Sequence, residues 1–381
     1  MQKLGLYLHV PFCVRKCHYC DFYSAAADQG ARTQYVRALC AHLRAEAPHL
    51  RDFTVDTVYL GGGTPTLLSP EEIGQILDVV RAEYALESDA EITAECNPVT
   101  HAAGMMEGLV AAGINRLSIG LQSTHDEELR LLGRPHDHAA FLDTYRAARQ
   151  AGIDNISVDL MFGIPAQTTQ SFGETLRTVI DLAPDHISAY GLRIEEGTPF
   201  YRMQKELPLP DEDTEADLAD LAAELLTKAG YEHYEISNYA KPGRRSRHNM
   251  RYWLGTDYLG FGPGAHSYLR GVRFDTAPDR LAYVSHVENG RFAALRQHTE
   301  RIVGKEQIDE YVMLRMRLFD GIELADFSHR FGTDFEKEYG DTSALEAAGY
   351  LLRTPERIAF TERGMRVSNA VLSDWLDFGR S

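Results

Sequence analysis

Roughly the first half of the chain alternates between short apolar β-type runs and amphipathic helical stretches, and no other feature narrows the fold as much. The strand candidates fall at 4–10, 56–62, 90–96, 116–122, 155–163 and 186–192. Between them lie "TQYVRALCAHLRAEA", "SPEEIGQILDVVRAEY", "AGMMEGLVAAG", "DHAAFLDTYRAARQAG" and "SFGETLRTVIDLA", each with helical periodicity. Ser69, Pro70, Glu71 and Glu72 supply a hydroxyl N-cap, a proline at the first helical position and early acids. Such alternation builds a parallel sheet covered by helices. Six units are too few to close an eight-stranded barrel, so a partial, open barrel is expected.

Beyond this unit, 211–230 reads as an amphipathic helix that closes the domain. Residues 231–300 read as irregular and glycine-rich, and hold "HNMRYW" and "GPGAHSY". From 301 onward "EQIDEYVMLRMRLFDG" is a helix, "LLRTPERIAFTERG" a hairpin and "SNAVLSDWL" a last helix. The expected division is therefore a barrel over 1–230, an extension over 231–300 and a small winged-helix-like domain over 301–381. A net charge of −17 argues against nucleic-acid binding, which needs a concentrated positive field. The chain has no apolar run long enough to span a bilayer, and its start lacks the apolar core of a signal peptide, so a cytoplasmic protein is expected.

Three of the five cysteines, Cys13, Cys17 and Cys20, crowd into "PFCVRKCHYCDF". Structural zinc normally takes four closed ligands, and no partner pair stands at the usual spacing. A redox pair from Cys17 and Cys20 would leave Cys13 unexplained. A cubane iron–sulfur cluster on three thiolates leaves one iron open to an external chelator. Cys40 and Cys96 stand alone and read as buried structural thiols. The glycines of "GGGTP", at the end of the second strand, let backbone groups approach a ligand closely.

The C-x3-C-x2-C spacing resembles that of the radical S-adenosylmethionine (SAM) superfamily. In that superfamily the three cysteines hold a 4Fe-4S cluster and SAM chelates the fourth iron. An electron from the cluster can then split the sulfonium C–S bond. "YLHVPFC", "GGGTPTLL", "ECNP", "RLSIGLQS", "LLGRPHD" and "DLMFGIP" are similar, in order, to the family of oxygen-independent coproporphyrinogen III oxidase and its relatives. The resemblance implies a partial (β/α)6 radical SAM barrel with a small C-terminal helical, winged-helix-like domain. It assigns the cluster to Cys13, Cys17 and Cys20. It assigns SAM to Tyr7, Tyr19, Gly62, Gly63, Thr64, Glu95, Gln122, Arg134 and Asp159.

Two departures favour one branch of the family. The oxidase motif runs on to a further cysteine where this chain has Phe22, and the oxidase carries an N-terminal extension that is missing ahead of Tyr7. "HNMRYW" instead resembles the signature of the HemW-type haem chaperones. That implies haem as a third ligand, with His248 as its ligand and His266 as the rival. Arg244, Arg245, Arg247 and Arg251 are suited by chemistry to propionates, and Tyr252 and Trp253 to the macrocycle face. The implied partners are haem, acceptor haemoproteins (membrane-associated ones among them) and a second copy of the chain. The competing expectation is the oxidase itself.

Overall fold

A computed structural model of the chain describes residues 1–98 and 104–376. Strands β1 (Gln2–Val10), β2 (Phe53–Gly62), β3 (Leu86–Cys96), β4 (Arg116–Gln122), β5 (Asn155–Phe162) and β6 (His186–Gly191) lie side by side in that order, all parallel. The crossovers carry α1 (Gln29–Glu46), α2 (Pro70–Glu83), α3 (Met105–Ala112), α4 (Asp126–Leu131), α5 (His138–Gln150) and α6 (Thr169–Leu182). The start expected for α3, at 103, lies outside the described residues. Strands β1 and β3 begin earlier than their apolar runs because polar residues such as Gln2, Lys3 and Glu87 open them, and β2 begins at Phe53, ahead of the expected Asp56. At α2 the expected start is a full capping box: Glu72 N–H donates to Ser69 Oγ at 3.2 Å, and Ser69 N–H to the Glu72 carboxylate at 3.0 Å.

Each strand divides its residues between two faces. Leu4, Leu6, Leu8, Leu117, Ile119, Leu121, Ile156, Val158 and Leu160 belong to the buried apolar core. The alternate positions Tyr59, Glu95, Arg116, Ser118, Asp159 and Ser188 line a cavity on the opposite, concave face. Parallel strands buried on both faces normally read as continuous apolar runs. Here the alternation is kept because the inner face surrounds a polar space.

Residues 231–300 are not irregular, as the sequence suggested; they extend the same sheet from both edges. β7 (Glu232–Glu235) and β8 (Asn238–Ala240) form a hairpin antiparallel to β6. β9 (Tyr258–Phe261) pairs parallel with β1, and β10 (His266–Leu269), β11 (Val272–Thr276) and β12 (Arg296–Arg301) follow antiparallel. The result is one twelve-stranded sheet. Strands this short carry too few alternations to stand out from loop sequence.

Three more helices frame the barrel. α7 (Pro199–Met203) follows β6, and α8 (Glu212–Lys228), capped by Asp211, packs on α6. α9 (Arg247–Leu254) carries "HNMRYW" and closes the end where the strands begin. The Glu91 carboxylate accepts from the backbone N–H groups of Arg247 and His248, both at 3.1 Å, a negative charge placed at a helix N-terminus. Arg251 donates to Thr57 Oγ1 at 3.2 Å and pairs with Asp56, which fastens α9 to β2.

The C-terminal region has a separate core around Val312, Phe327, Phe335 and Phe360, with Trp375 packed against it. Its three short strands, β13 (Ile322–Glu323), β14 (Leu351–Arg353) and β15 (Arg357–Phe360), pair antiparallel with β15 in the middle. The β14–β15 pair is the expected hairpin.

Candidate functional site

A cavity of about 610 Å³ opens at the ends where the parallel strands finish. Its rim is the loop after β1, which holds Cys13, Cys17 and Cys20, and all three cysteines line it. That loop is held by other elements. The His18 backbone N–H donates to the Leu132 carbonyl at 2.9 Å, and Phe200 N–H of α7 donates to the His18 carbonyl at 3.0 Å. Arg15 donates to the carbonyls of Gly133 and Arg134 at 3.0 and 2.9 Å. The cysteine loop is therefore positioned by the α4–α5 connection and by α7.

Cys17 is buried, and Arg134 Nη1 lies 3.5 Å from its sulfur. The other guanidinium arm of Arg134 donates to Gly120 O at 2.7 Å and Asn97 Oδ1 at 2.5 Å. Cys13 Sγ is 3.5 Å from Thr64 Oγ1. Burial pushes the Cys20 thiol up to about 11, so metal coordination is what would deprotonate it. Among the described residues no three His, Cys, Asp or Glu side chains converge closely enough to hold a single metal ion. What the rim does supply is three thiols on one cavity, with Thr64 beside Cys13 and Arg134 beside Cys17, a donor set that suits an iron–sulfur group.

Below the loop, "GGGTP" threads against the segment that leads into the cysteines. Gly63 N–H donates to Val10 O at 2.9 Å and Thr64 N–H to Phe12 O at 2.7 Å. Gly62 has a φ of +102° and lies over the His9 ring, where a Cβ would approach to 2.3 Å. Glu95, at the end of β3, accepts from Tyr59 O–H and Gly62 N–H, each at 3.0 Å. Burial raises its carboxyl to about 7, against the hydrogen bond from Tyr59. Asp159 accepts from Ser118 at 3.1 Å, and burial raises its pKa as well. A β-bulge at Gly120/Gln122 puts Gln122 at φ +73°, where its amide oxygen accepts from Tyr190 O–H at 2.8 Å.

Of the residues singled out from the sequence, the three cysteines, Tyr19, Gly62, Gly63, Glu95, Gln122, Arg134 and Asp159 share this cavity. Thr64 stands directly behind Cys13 and Asn97. Tyr7 lies one layer deeper, its ring 6.2 Å from Tyr59 and 6.4 Å from His248.

The two histidines do not join the cavity lining. His248 is 1% exposed, with Nδ1 2.9 Å from Thr57 Oγ1 and Nε2 3.0 Å from Tyr252 Oη. Burial, with Arg251 and Arg116 nearby, pushes its pKa down to about 3. Both ring nitrogens are thus engaged inside the barrel floor. His266 begins β10 and is exposed. The basic run expected to meet propionates is neutralised within the chain. Arg244 faces Asp185, Arg245 faces Glu232 and Asp320, Arg247 faces Asp56, Glu87 and Asp89, and Arg251 faces Asp56. Tyr252 is committed too, its ring 4.8 Å edge-on from Tyr258.

The cavity also holds residues that motif reading missed: Tyr59, Arg116, Ser118, Ser188, Tyr190, Arg193, Asn238 and Asn249. Arg116 is 1% exposed and its Nε has no hydrogen-bond partner. Strict polar–apolar alternation in β4 and β6 marks Arg116, Ser118, Ser188 and Tyr190. Arg193, Asn238 and Asn249 sit in a loop, a three-residue strand and the first turn of a short helix, where no periodic signal exists.

Residues 7–179 match the family model of the radical SAM superfamily, and residues 304–367 that of the HemN C-terminal domain. Across nearly its whole length the chain is similar to proteins named heme chaperone HemW. It is 36% identical to that of Escherichia coli strain K12, covering 99% of each chain. Identity is 32% to that of Lactococcus lactis, covering 97% of this chain and 96% of that one. It is also 32% to that of Bacillus subtilis strain 168, covering 97% and 98%. Among solved structures, the coproporphyrinogen III oxidase of Escherichia coli, described as a radical SAM enzyme, superposes with a TM-score of 0.85. That match covers 98% of this chain and 90% of the other at 24% identity, a likeness of fold.

Proposed function

Since the chain belongs to the HemW family within the radical SAM superfamily, we propose that it is a haem chaperone, which binds haem and delivers it to acceptor haemoproteins. The observation that carries this is the 36% identity, over 99% of both chains, to a protein named heme chaperone. The cofactors of this reading are a 4Fe-4S cluster, SAM and haem. Three thiols on one rim of a polar cavity support Cys13, Cys17 and Cys20 as the cluster ligands. When bound, the cluster supplies an electron and one open iron for the amino and carboxylate groups of SAM.

The chain's own residues then divide the work on SAM. Gly62, Gly63 and Thr64 have their N–H groups on Glu95, Val10 and Phe12, so what they offer the amino group at its methionyl end is backbone carbonyl. Glu95 presents two carboxylate oxygens to ribose hydroxyls, with Tyr59 and the Gly62 N–H fixing their direction. Gln122, Arg134 and Asp159 complete the wall, Tyr19 lines the rim, and Tyr7 supports Tyr59 from below. Glu95 makes this binding sensitive to pH. Its carboxyl is ionised above about 7 and protonated below, so an acceptor for ribose is lost as pH falls. Equilibrium dialysis is expected to show SAM affinity dropping by about tenfold between pH 8 and 6, the weight of one charge-assisted hydrogen bond. Glu95→Gln should bind weakly at both pH values; a wild-type profile in that variant rules out the role.

For haem, exposure supports His266 as the axial ligand over His248, which would have to leave two hydrogen bonds and the barrel floor. Anaerobic titration of the cluster-loaded protein is expected to show one haem per chain. His266→Ala is expected to change the haem spectrum, and His248→Ala chiefly to lower stability. No haem uptake by the wild type overturns the chaperone reading. With coproporphyrinogen III, SAM and a reductant no vinyl product is expected; its formation would favour the oxidase reading.

No helix among the described residues is long and apolar enough to cross a membrane. A cytoplasmic location, association with a membrane through an acceptor, and a homodimer remain part of the proposal. So does the division at about 230 and 300, supported by the separate core of the C-terminal region.

A further inference from the structure

The end of the cavity away from the cysteine rim holds a cation with no partner. Arg116 is the first residue of β4 and lines the cavity, although it is only 1% exposed. Its side chain makes no hydrogen bond and no ion pair among the described residues, and its Nε is enclosed. Thr93 and Asn155 flank it in the sheet register, yet Thr93 Oγ1 and Asn155 Oδ1 lack partners too, so the guanidinium turns from them toward the open space. By contrast Arg149, Arg245, Arg251 and Arg273 each lie against a carboxylate. A buried charge that nothing answers is costly to keep.

The acids of the cavity do not answer it. Asp159 accepts from Ser118 at 3.1 Å and Ser157 at 3.4 Å, and Glu95 from Tyr59 and Gly62 at 3.0 Å. Burial raises both carboxyl pKa values and the charge of Arg116 works against it, but neither acid lies within ion-pairing distance of the guanidinium. Two amides line the same cavity. Asn249, in the first turn of α9, makes no side-chain hydrogen bond among the described residues. Asn238 of β8 gives Nδ2 to Glu235 and keeps Oδ1 free. One buried cation, one free amide and one free acceptor are a donor and acceptor set for a polar molecule that carries a carboxylate. Arg116 also stands at the opposite end of β4 from Gln122, about 20 Å along a strand that rises roughly 3.3 Å per residue.

We propose that Arg116 anchors a second subsite at the base of the cavity, which takes the carboxylate of a small molecule other than SAM. Asn249 donates to the same carboxylate, and Asn238 Oδ1 accepts from a donor group beside it. The subsite rests on the reading that SAM holds the rim end, where its own carboxylate meets the open iron. The cavity then takes two molecules in series, the cofactor at the rim and the acid beneath it.

The probe is formate, the smallest carboxylate, with formamide as its neutral counterpart and chloride as the salt control. Thermal unfolding of the full chain, cluster-loaded and saturated with SAM under anaerobic conditions, is followed against the concentration of each. Formate is expected to raise the wild-type midpoint beyond the effect of the other two. Arg116→Met should weaken formate by about tenfold or more, with Arg116→Lys recovering part of the loss. Asn249→Ala should weaken it by less. Without formate, Arg116→Met should unfold no earlier than wild type, since an apolar chain there removes an unanswered charge. SAM affinity should be unchanged in every variant; its loss together with the formate response would assign Arg116 to the cofactor and overturn the second subsite. A formate response that is absent, or equal in wild type and Arg116→Met, overturns it as well. Early unfolding of Arg116→Met would then make Arg116 a counter-charge for Glu95 and Asp159. If the wild type takes up no SAM, the SAM reading fails, and the same formate comparison made without SAM still decides the subsite.

Discussion

Cys17→Ala is expected to abolish cluster assembly: anaerobic reconstitution should leave the protein without stoichiometric iron and acid-labile sulfide, and without the visible charge-transfer absorption. Cys17 is the most buried cysteine of the rim and the one within reach of Arg134, so its thiolate has both shelter from solvent and a cationic neighbour. Two remaining thiols cannot substitute, because a cubane held by two ligands exposes two irons to exchange. Cys40→Ala is the control. That thiol is partnered with the Gln75 carbonyl at 3.8 Å between α1 and α2, away from the cavity, and the variant should assemble a cluster as the wild type does. A Cys17→Ala protein with wild-type iron and sulfide would sink the assignment.

Gly63→Ala is expected to be the most damaging single methyl group in the glycine run beside the cysteine loop, because only backbone stands in its way. Its Cβ would stand 2.5 Å from Phe12 O, 2.7 Å from Val10 O and 2.8 Å from Phe12 N. All three are backbone atoms of the segment entering Cys13, so no side chain can swing away. The strand end must shift, at a cost of about 3 kcal/mol, the upper range for overpacking. Loss of stability by denaturant titration should be accompanied by poor cluster retention and weak SAM binding, since Cys13 and the glycine backbone move together. Gly74→Ala in α2 makes the comparison fair: the nearest atom to its new Cβ is 4.0 Å away. That variant should be neutral, or more stable by up to about 1 kcal/mol through helix propensity. If Gly63→Ala unfolds where Gly74→Ala does, the backbone-approach argument is wrong.

The parallel half of the fold was readable because each strand carries a full apolar face. Leu117, Ile119 and Leu121 announce β4 to the residue, and the Ser69-Pro70 start announces α2. What escaped was structure whose stability comes from docking. β8 is three residues long, and β9 earns its place only by pairing with β1. The cysteine rim and its glycines were legible as motifs, and the inward polar residues were legible as a period of two. In "HNMRYW" the family signature was legible, and its packing was not. An arginine-rich, aromatic segment suits a porphyrin, but it equally suits a helix end buried among Asp56, Glu87 and Glu91. Sequence spacing does not reveal that those acids, roughly 155 to 195 residues upstream, sit in the strands beneath it.

The closure of the barrel floor by α9 has a kinetic corollary. With His248 and Arg251 bonded to Thr57, α9 fills the lower end of the barrel, and the cavity opens at the other end, where the cysteine rim lies. Occupancy is then ordered like a stack, the last molecule in being the first out. A small molecule seated near Glu95 would then leave only after anything larger that covered that opening.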